Sequence, residues 1–153
     1  GNSPCPFAKA AWVKSRYQLE VVVNADLQDQ LLNCIKAWPS DCDLWIAVCD
    51  PAEQTALEPD ELTALAREVN CELMQHGYVA LEGHPLIPES ILDCDINQGT
   101  YTYVIVQPLE KLAKHKAILE KRRYYDNWSR DMYDAIVGFR ENASTHVSEV
   151  SDK

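Results

Sequence analysis

Basic residues are scarce over most of this chain. The segment 26–110 has sixteen acidic residues and only two basic ones, Lys36 and Arg67. The net charge of the whole chain is −10 at pH 7. Non-specific binding to nucleic acid or to an anionic membrane depends on clustered cations. The composition therefore predicts a protein that binds neither nucleic acid nor membranes.

Long apolar runs are also missing. No stretch approaches the roughly 18 apolar residues that a membrane-spanning helix needs, and the first residues lack the pattern of a signal peptide. The six cysteines include no Cys-x-x-Cys pair, which excludes zinc-ribbon and thioredoxin-type motifs. Free thiols are typical of a reducing compartment, so we expect a cytoplasmic protein.

Motifs that would identify a reaction are absent too. The sequence has no Gly-rich phosphate loop, no nucleophile elbow and no His-Glu-x-x-His helix. Asp93 and Asp95 offer oxygen ligands for a metal ion, but solvated loop carboxylates explain them equally well. We therefore expect no metal ion and no cofactor, and the sequence leaves open whether the protein is an enzyme.

The length of 153 residues is that of one domain. We predict a single α+β domain over residues 1–140, with residues 1–12 as an irregular apolar arm docked on it, and a disordered polar tail over 141–153. Runs of β-branched and apolar residues predict strands at 17–23, 44–49, 78–82 and 100–107. Apolar residues at helical spacing predict helices at 26–38, 59–76 and 109–125.

The order of these elements is β-α-β-α-β-β-α, and the architecture that fits it best is a ferredoxin-like sandwich. We expect a mixed sheet of about four strands with helices mainly on one face. The first β-α-β unit should be parallel, because a helical crossover joins its strands. The last two strands are expected to form an antiparallel ribbon.

One side of this sheet is expected to be aromatic. Strand alternation places Tyr101 and Tyr103 on the side opposite Val104, and we assign Trp45 to the same aromatic side. No predicted helix covers that side, and an uncovered apolar face is typical of an interface. We therefore expect a homodimer through this face, with the N-terminal arm as the alternative cover.

The cations of the chain are concentrated in and just after the predicted 109–125 helix. Residues 111–130 carry seven Lys or Arg against two acidic residues. A guanidinium fork suits a carboxylate or a phosphate, and the helical spacing turns Lys116 and Arg123 inward. We predict an anion site formed by Lys116, Arg122, Arg123 and Tyr124. The alternative is that these long side chains extend over apolar surface to solvent, with Lys116 paired to Glu120.

Cys5 is the cysteine that packing explains least, because no periodic apolar face surrounds it. A thiol becomes nucleophilic beside a base or a cation, and His84, next to the long 83–99 loop, is the candidate base. The alternative function is therefore a small enzyme whose site lies between the N-terminal arm, this loop and the basic 109–125 helix. The function we favour is a domain that self-associates and binds a protein or a small anionic ligand.

Three segments of the chain carry a resemblance to known proteins. They are the opening Cys5-Pro6-Phe7-Ala8-Lys9-Ala10-Ala11-Trp12, the strand Tyr101–Gln107 and the helix that runs to Tyr124-Tyr125. Together they resemble small uncharacterised proteins of bacteria and their phages that open with a similar Cys-Pro-Phe-Ala segment. The resemblance carries over no catalytic residue. It implies that the N-terminal arm and the basic helix belong to one unit.

Overall fold

The computed structural model describes residues 6–53, 57–87, 90–91, 94–95 and 99–141. Cys5, Asp93 and the tail beyond Glu141 lie outside the described residues. The described helices are α1 Pro6–Val13, α2 Leu27–Cys34, α3 Pro59–Leu73, α4 Leu109–Lys121 and α5 Arg130–Tyr133. The described strands are β1 Tyr17–Val22, β2 Leu44–Cys49, β3 Tyr78–Gly83, β4 Ser90–Ile91, β5 Cys94–Asp95 and β6 Tyr103–Pro108.

The first described segment is a helix and not the irregular arm that we predicted. Proline is favoured at the first position of a helix, where Pro6 stands, and the three alanines that follow have the highest helix propensity of any residue. Phe7 and Ala11 are buried, whereas Trp12 is 60% exposed. One side of α1 therefore packs on the domain and the other faces solvent.

Helix α3 begins and ends where its sequence signals predict. Pro59 occupies its first turn, and the backbone N–H of Glu58 donates to Glu61 Oε2 at 3.0 Å. At its other end a short 3₁₀ turn, Met74–His76, leads to Gly77 in the left-handed conformation, with φ of 80°. A non-glycine residue is strained there, so Gly77 fixes the point where the chain turns into β3.

The main sheet has four strands in the order β1-β2-β6-β3. β1 is parallel to β2, and β6 is antiparallel to both β2 and β3, which confirms the predicted mixed sheet. In a ferredoxin-like sandwich another strand splits the parallel pair. Here β1 and β2 are direct neighbours, so the narrower ferredoxin-like prediction is not confirmed. β4 and β5 form a separate two-stranded ribbon.

The main core lies between helices α2 and α3 and one side of the sheet. Trp45 is 3% exposed and lies directly opposite Val106 in the β2–β6 ladder, and both belong to this core. The prediction that Trp45 shares a side with Tyr103 is therefore wrong, because cross-strand partners face the same side of a sheet. The core also contains Val22, Leu27, Leu31, Ala47, Cys49, Leu62, Val69, Leu73, Ala80 and Val104.

Helices α1 and α4 lie on the second side of the sheet. The rings of Phe7 in α1 and His115 in α4 are in edge contact, with their centroids 4.9 Å apart. Three strand residues point away from the α2/α3 core and are nevertheless buried: Leu44, Val79 and Gln107. The helices are thus distributed over both sides of the sheet. We had expected them mainly on one face.

Asp43 connects α4 to the beginnings of β1 and β2. Its carboxylate accepts a hydrogen bond from Arg16 Nη2 at 3.0 Å and forms an ion pair with Lys111 Nζ. Lys111 Nζ also donates to the carbonyl oxygen of Cys42 at 2.9 Å. Because the Asp43 side chain is only 16% exposed, water screens these contacts less than at an open surface.

We expect Asp43→Asn to destabilise the protein by about 1–2 kcal/mol, because it removes the charge that Arg16 and Lys111 share. The measurement is the urea unfolding midpoint at neutral pH. Glu110→Gln is the matched control, since the Lys114–Glu110 pair is exposed on both sides and such pairs contribute little. Equal midpoints for the two variants would show that Asp43 does not hold α4.

Candidate functional site

β1 is an edge strand whose outer side has no partner among the described residues. Two N–H groups that flank β2 donate to backbone carbonyl oxygens at the ends of β1. Asp43 donates to Arg16 at 2.8 Å, and Asp50 donates to Val22 at 2.9 Å. A parallel ladder engages every second residue of a strand. The backbone groups that point away from β2 therefore belong to the intervening residues, Tyr17, Leu19 and Val21. This edge can accept another extended chain.

The same residues expose apolar side chains. Leu19 is 48% exposed, Val21 63% and Val23 45%, and their even spacing places them on one side of β1. At the start of the strand the ring of Trp12 stacks on Tyr17, with centroids 4.7 Å apart and planes 12° apart. We call these five residues, Trp12, Tyr17, Leu19, Val21 and Val23, the β1 surface.

The apolar character continues from β1 onto the sheet. Leu19 lies beside Ile46 and Val21 beside Val48, and both β2 residues are only partly buried. The next strand adds the partly buried Ile105 and Tyr103 at the same levels. A contiguous exposed apolar area is unusual on a monomer and marks an interaction site.

The charge around the β1 surface differs from that of the rest of the chain. Residues 1–25 contain the cations Lys9, Lys14 and Arg16 and one acidic residue, Glu20, which gives +2. Since the whole chain carries −10, residues 26–153 carry −12. Because Arg16 is already paired with Asp43, the cations that residues 1–25 offer to a partner are Lys9 and Lys14, against the single carboxylate of Glu20.

His84 is fixed by the backbone on both sides of its ring. It is 5% exposed, its Nδ1 accepts from the N–H of Leu86 at 3.1 Å, and its Nε2 lies 2.9 Å from the carbonyl oxygen of Leu57. This pattern corresponds to a neutral ring that donates from Nε2. In this arrangement His84 ties the 84–87 turn to the segment before α3.

Lys116 is surrounded by acidic partners. Its Nζ lies 2.9 Å from Glu120 Oε1 and also pairs with Glu141 Oε1. Hydrogen bonds to Glu141, and further ones to Glu120 and Tyr133, raise the pKa of Lys116 above its ordinary value. An external anion would have to compete with two carboxylates of the chain itself.

The other predicted anion ligands lie beyond the end of α4. The helix was expected to reach about residue 125 but ends at Lys121, and Arg123 has a left-handed backbone with φ of 58°. The Arg123 side chain is 84% exposed, and its Nε lies 2.6 Å from Asp126 Oδ2. Arg123 therefore does not continue the inward stripe that holds Lys116.

Tyr124 belongs to an aromatic cluster that follows α4. Its ring centroid is 5.2 Å from that of Tyr125 and 5.7 Å from that of Trp128, and Tyr125 also contacts Tyr133. These edge and tilted contacts are favourable aromatic geometries. Arg122 caps the end of α4 and is exposed. Anion binding by Lys116, Arg122, Arg123 and Tyr124 stays a prediction.

Of the four cysteines whose side chains the structure describes, three are poorly suited to act as nucleophiles. Burial raises the pKa of Cys34 to about 12 and also raises the pKa values of Cys42 and Cys49. A raised pKa disfavours the thiolate, which is the reactive form. Cys71 is exposed. The enzyme alternative named Cys5 and His84 as its candidate catalytic residues; Cys5 lies outside the described residues, and this alternative stays a prediction.

The described part of the chain contains no group of three or more His, Cys, Asp or Glu side chains arranged to hold a metal ion. None of its helices has the length and apolar character needed to cross a membrane.

Comparisons with protein-family models, with curated proteins and with solved structures found no match for the chain. The β1 surface is thus the candidate site on the evidence of its own geometry.

The raised pKa of Cys34 predicts a loss of stability at alkaline pH. Burial raises this pKa, and Glu20 and Cys42 add to the effect. The native state therefore holds the proton more tightly than the unfolded state, so stability is intact below about pH 8.5 and falls as the pH rises toward 12. Between neutral pH and pH 10 we expect the free energy of unfolding to fall by about 1–2 kcal/mol less in Cys34→Ala than in wild type.

The measurement is the free energy of unfolding in urea between pH 8 and 11, with a reductant present. The control is Cys71→Ala, at an exposed position, which should follow the wild-type curve. If the Cys34→Ala curve ran parallel to wild type over this range, the Cys34 thiol would have to be ionisable in the folded protein.

Proposed function

We propose that this protein is an interaction module that captures an extended polypeptide segment on the open edge of β1. The added segment would form a further strand of the main sheet, with backbone hydrogen bonds to Tyr17, Leu19 and Val21. Strand addition of this kind takes its affinity from the main chain and its specificity from alternate side chains. The protein would thus act by binding and not by catalysis.

The observation that carries this proposal is the exposure of three apolar side chains at an edge that pairs with no other described strand. Proteins usually block such edges with Lys, Pro or a bulge. β1 contains neither Lys nor Pro, and its ladder with β2 is regular over all six positions. Nothing in the described part of the chain therefore blocks this edge against pairing.

The side chains available on β1 indicate which segments it would bind. Leu19 and Val21 favour an apolar side chain at alternate positions of the incoming strand. The cations Lys9 and Lys14, at the exposed positions beside this region, favour acidic residues next to those apolar positions. An extended segment with alternating apolar and acidic or polar residues meets both conditions.

A labelled peptide with the sequence of residues 15–23 provides a probe for strand capture. We expect a saturable rise in its fluorescence anisotropy when wild-type protein is added. Leu19→Lys and Val21→Pro should each raise the dissociation constant at least tenfold. Val21→Pro removes an N–H that points away from β2, so the existing β1–β2 ladder keeps its hydrogen bonds.

Leu86→Lys is the matched control, because Leu86 is a 72% exposed leucine outside the β1 surface. It should bind the peptide like wild type. Circular dichroism and thermal unfolding establish that all three variants are folded. Absence of saturable binding to wild type, or the same affinity for all variants, would eliminate strand capture at β1.

A further inference from the structure

We infer that the segment captured by β1 is β1 of a second copy of this chain, paired antiparallel about Leu19. This inference rests on the proposed function and names its partner. The dimer expected from an aromatic face stays a prediction, but that face lacks Trp45, which lies in the α2/α3 core. β1 supplies a different interface, in which two identical edges meet around a twofold axis.

The geometry of β1 restricts the register of such a pair. In an antiparallel ladder, hydrogen-bonded residues lie directly opposite each other. The groups that face outward belong to Tyr17, Leu19 and Val21, and only an axis at Leu19 pairs all three with one another. An axis at Gln18 would set Val21 opposite Ser15, and an axis at Glu20 would set Tyr17 opposite Val23. Centring it on Leu19 sets Leu19 opposite itself and Tyr17 opposite Val21, and all the paired residues lie within β1.

The registers that bring Val23 or Ser15 into the ladder use backbone that is not available. An axis at Val21 would pair Leu19 with Val23, whose carbonyl oxygen already accepts from the N–H of Asp26 at 2.9 Å. An axis at Tyr17 would pair Leu19 with Ser15, whose left-handed backbone, with φ of 52°, cannot continue a strand. Leu19 is therefore the centre that the chain conformation permits.

The polar residues of β1 agree with the same register. Centring on Leu19 places Gln18 opposite Glu20 of the second copy, twice across the axis. Within one chain Gln18 Nε2 already donates to Glu20 Oε1 at 2.6 Å, so the amide and the carboxylate are oriented as donor and acceptor. Two carboxylates directly opposite each other would be destabilising, and this register contains no such pair.

Electrostatics does not prevent this contact, although each copy carries −10. Within residues 1–25, Lys9 and Lys14 outnumber Glu20, and the charge of Arg16 is balanced by Asp43. Acidic residues concentrated elsewhere are largely screened beyond about 8 Å at physiological ionic strength. The two four-stranded sheets would join into one sheet of eight strands. The β1 surfaces of the two copies would then lie side by side.

Cysteine cross-linking tests the register directly. In a Cys5→Ser/Cys71→Ser background, Leu19→Cys would place two Cα atoms about 5.5 Å apart across the axis, within the range for a disulfide. Val21→Cys is the matched control, since its two copies would lie about 14 Å apart along the strands. Under mild oxidation we expect Leu19→Cys to form covalent dimers at least tenfold faster.

Sedimentation equilibrium provides the second measurement. Wild type and Leu86→Lys should approach twice the chain mass of 17.3 kDa, whereas Leu19→Lys, with two like charges face to face, should require at least tenfold more protein to dimerise. A monomer at all concentrations would overturn self-pairing, whereas saturable binding of a labelled peptide of another sequence that alternates apolar and acidic residues would show that strand capture holds without it. Equal cross-linking at positions 19 and 21 in a dimer would overturn the register.

Discussion

The place of β6 between β2 and β3 is the constraint on which the rest of the molecule depends. β6 pairs antiparallel with β2 on one side and with β3 on the other. It therefore occupies the edge of β2 that β1 does not use. β1 is thereby left at the end of the sheet. The side chains of β6 also define the two packing sides, because Val104 and Val106 face α2 and α3 while Tyr103 and Ile105 face the other way.

Local patterns predicted the main strands and most helices, since caps and breakers such as Pro59 and Gly77 act over a few residues. Strand order could not be predicted in the same way, because pairing joins distant segments. Every residue of β2 is apolar, so alternation alone does not tell which side Trp45 faces; only its pairing with Val106 does. Arg123 was misplaced because the helical wheel assumed a helix that continues beyond Lys121.

The β1 surface escaped sequence reasoning for a related reason. Leu19 and Val21 alternate with Gln18 and Glu20, a pattern that predicts apolar residues turned toward a core. These residues lie on the side of the sheet that also carries α1 and α4. Leu44, on the same side, is buried, but the described helices leave Leu19 and Val21 exposed. Burial of a strand depends on where neighbouring helices end, and the sequence of the strand does not contain that information.

The way α4 is attached has a consequence for how the protein opens. None of its residues is fully buried, and its fixed points are the polar contacts of Lys111 with Asp43 and of Lys116 with Glu141, together with the ring contact of His115. Elements with few buried apolar contacts exchange their amide hydrogens through local opening, and ionic contacts weaken as salt increases. Raised ionic strength should therefore release α4 while β1, β2, β6 and β3 stay paired, giving a state in which the second side of the sheet has lost α4 and the main core is intact.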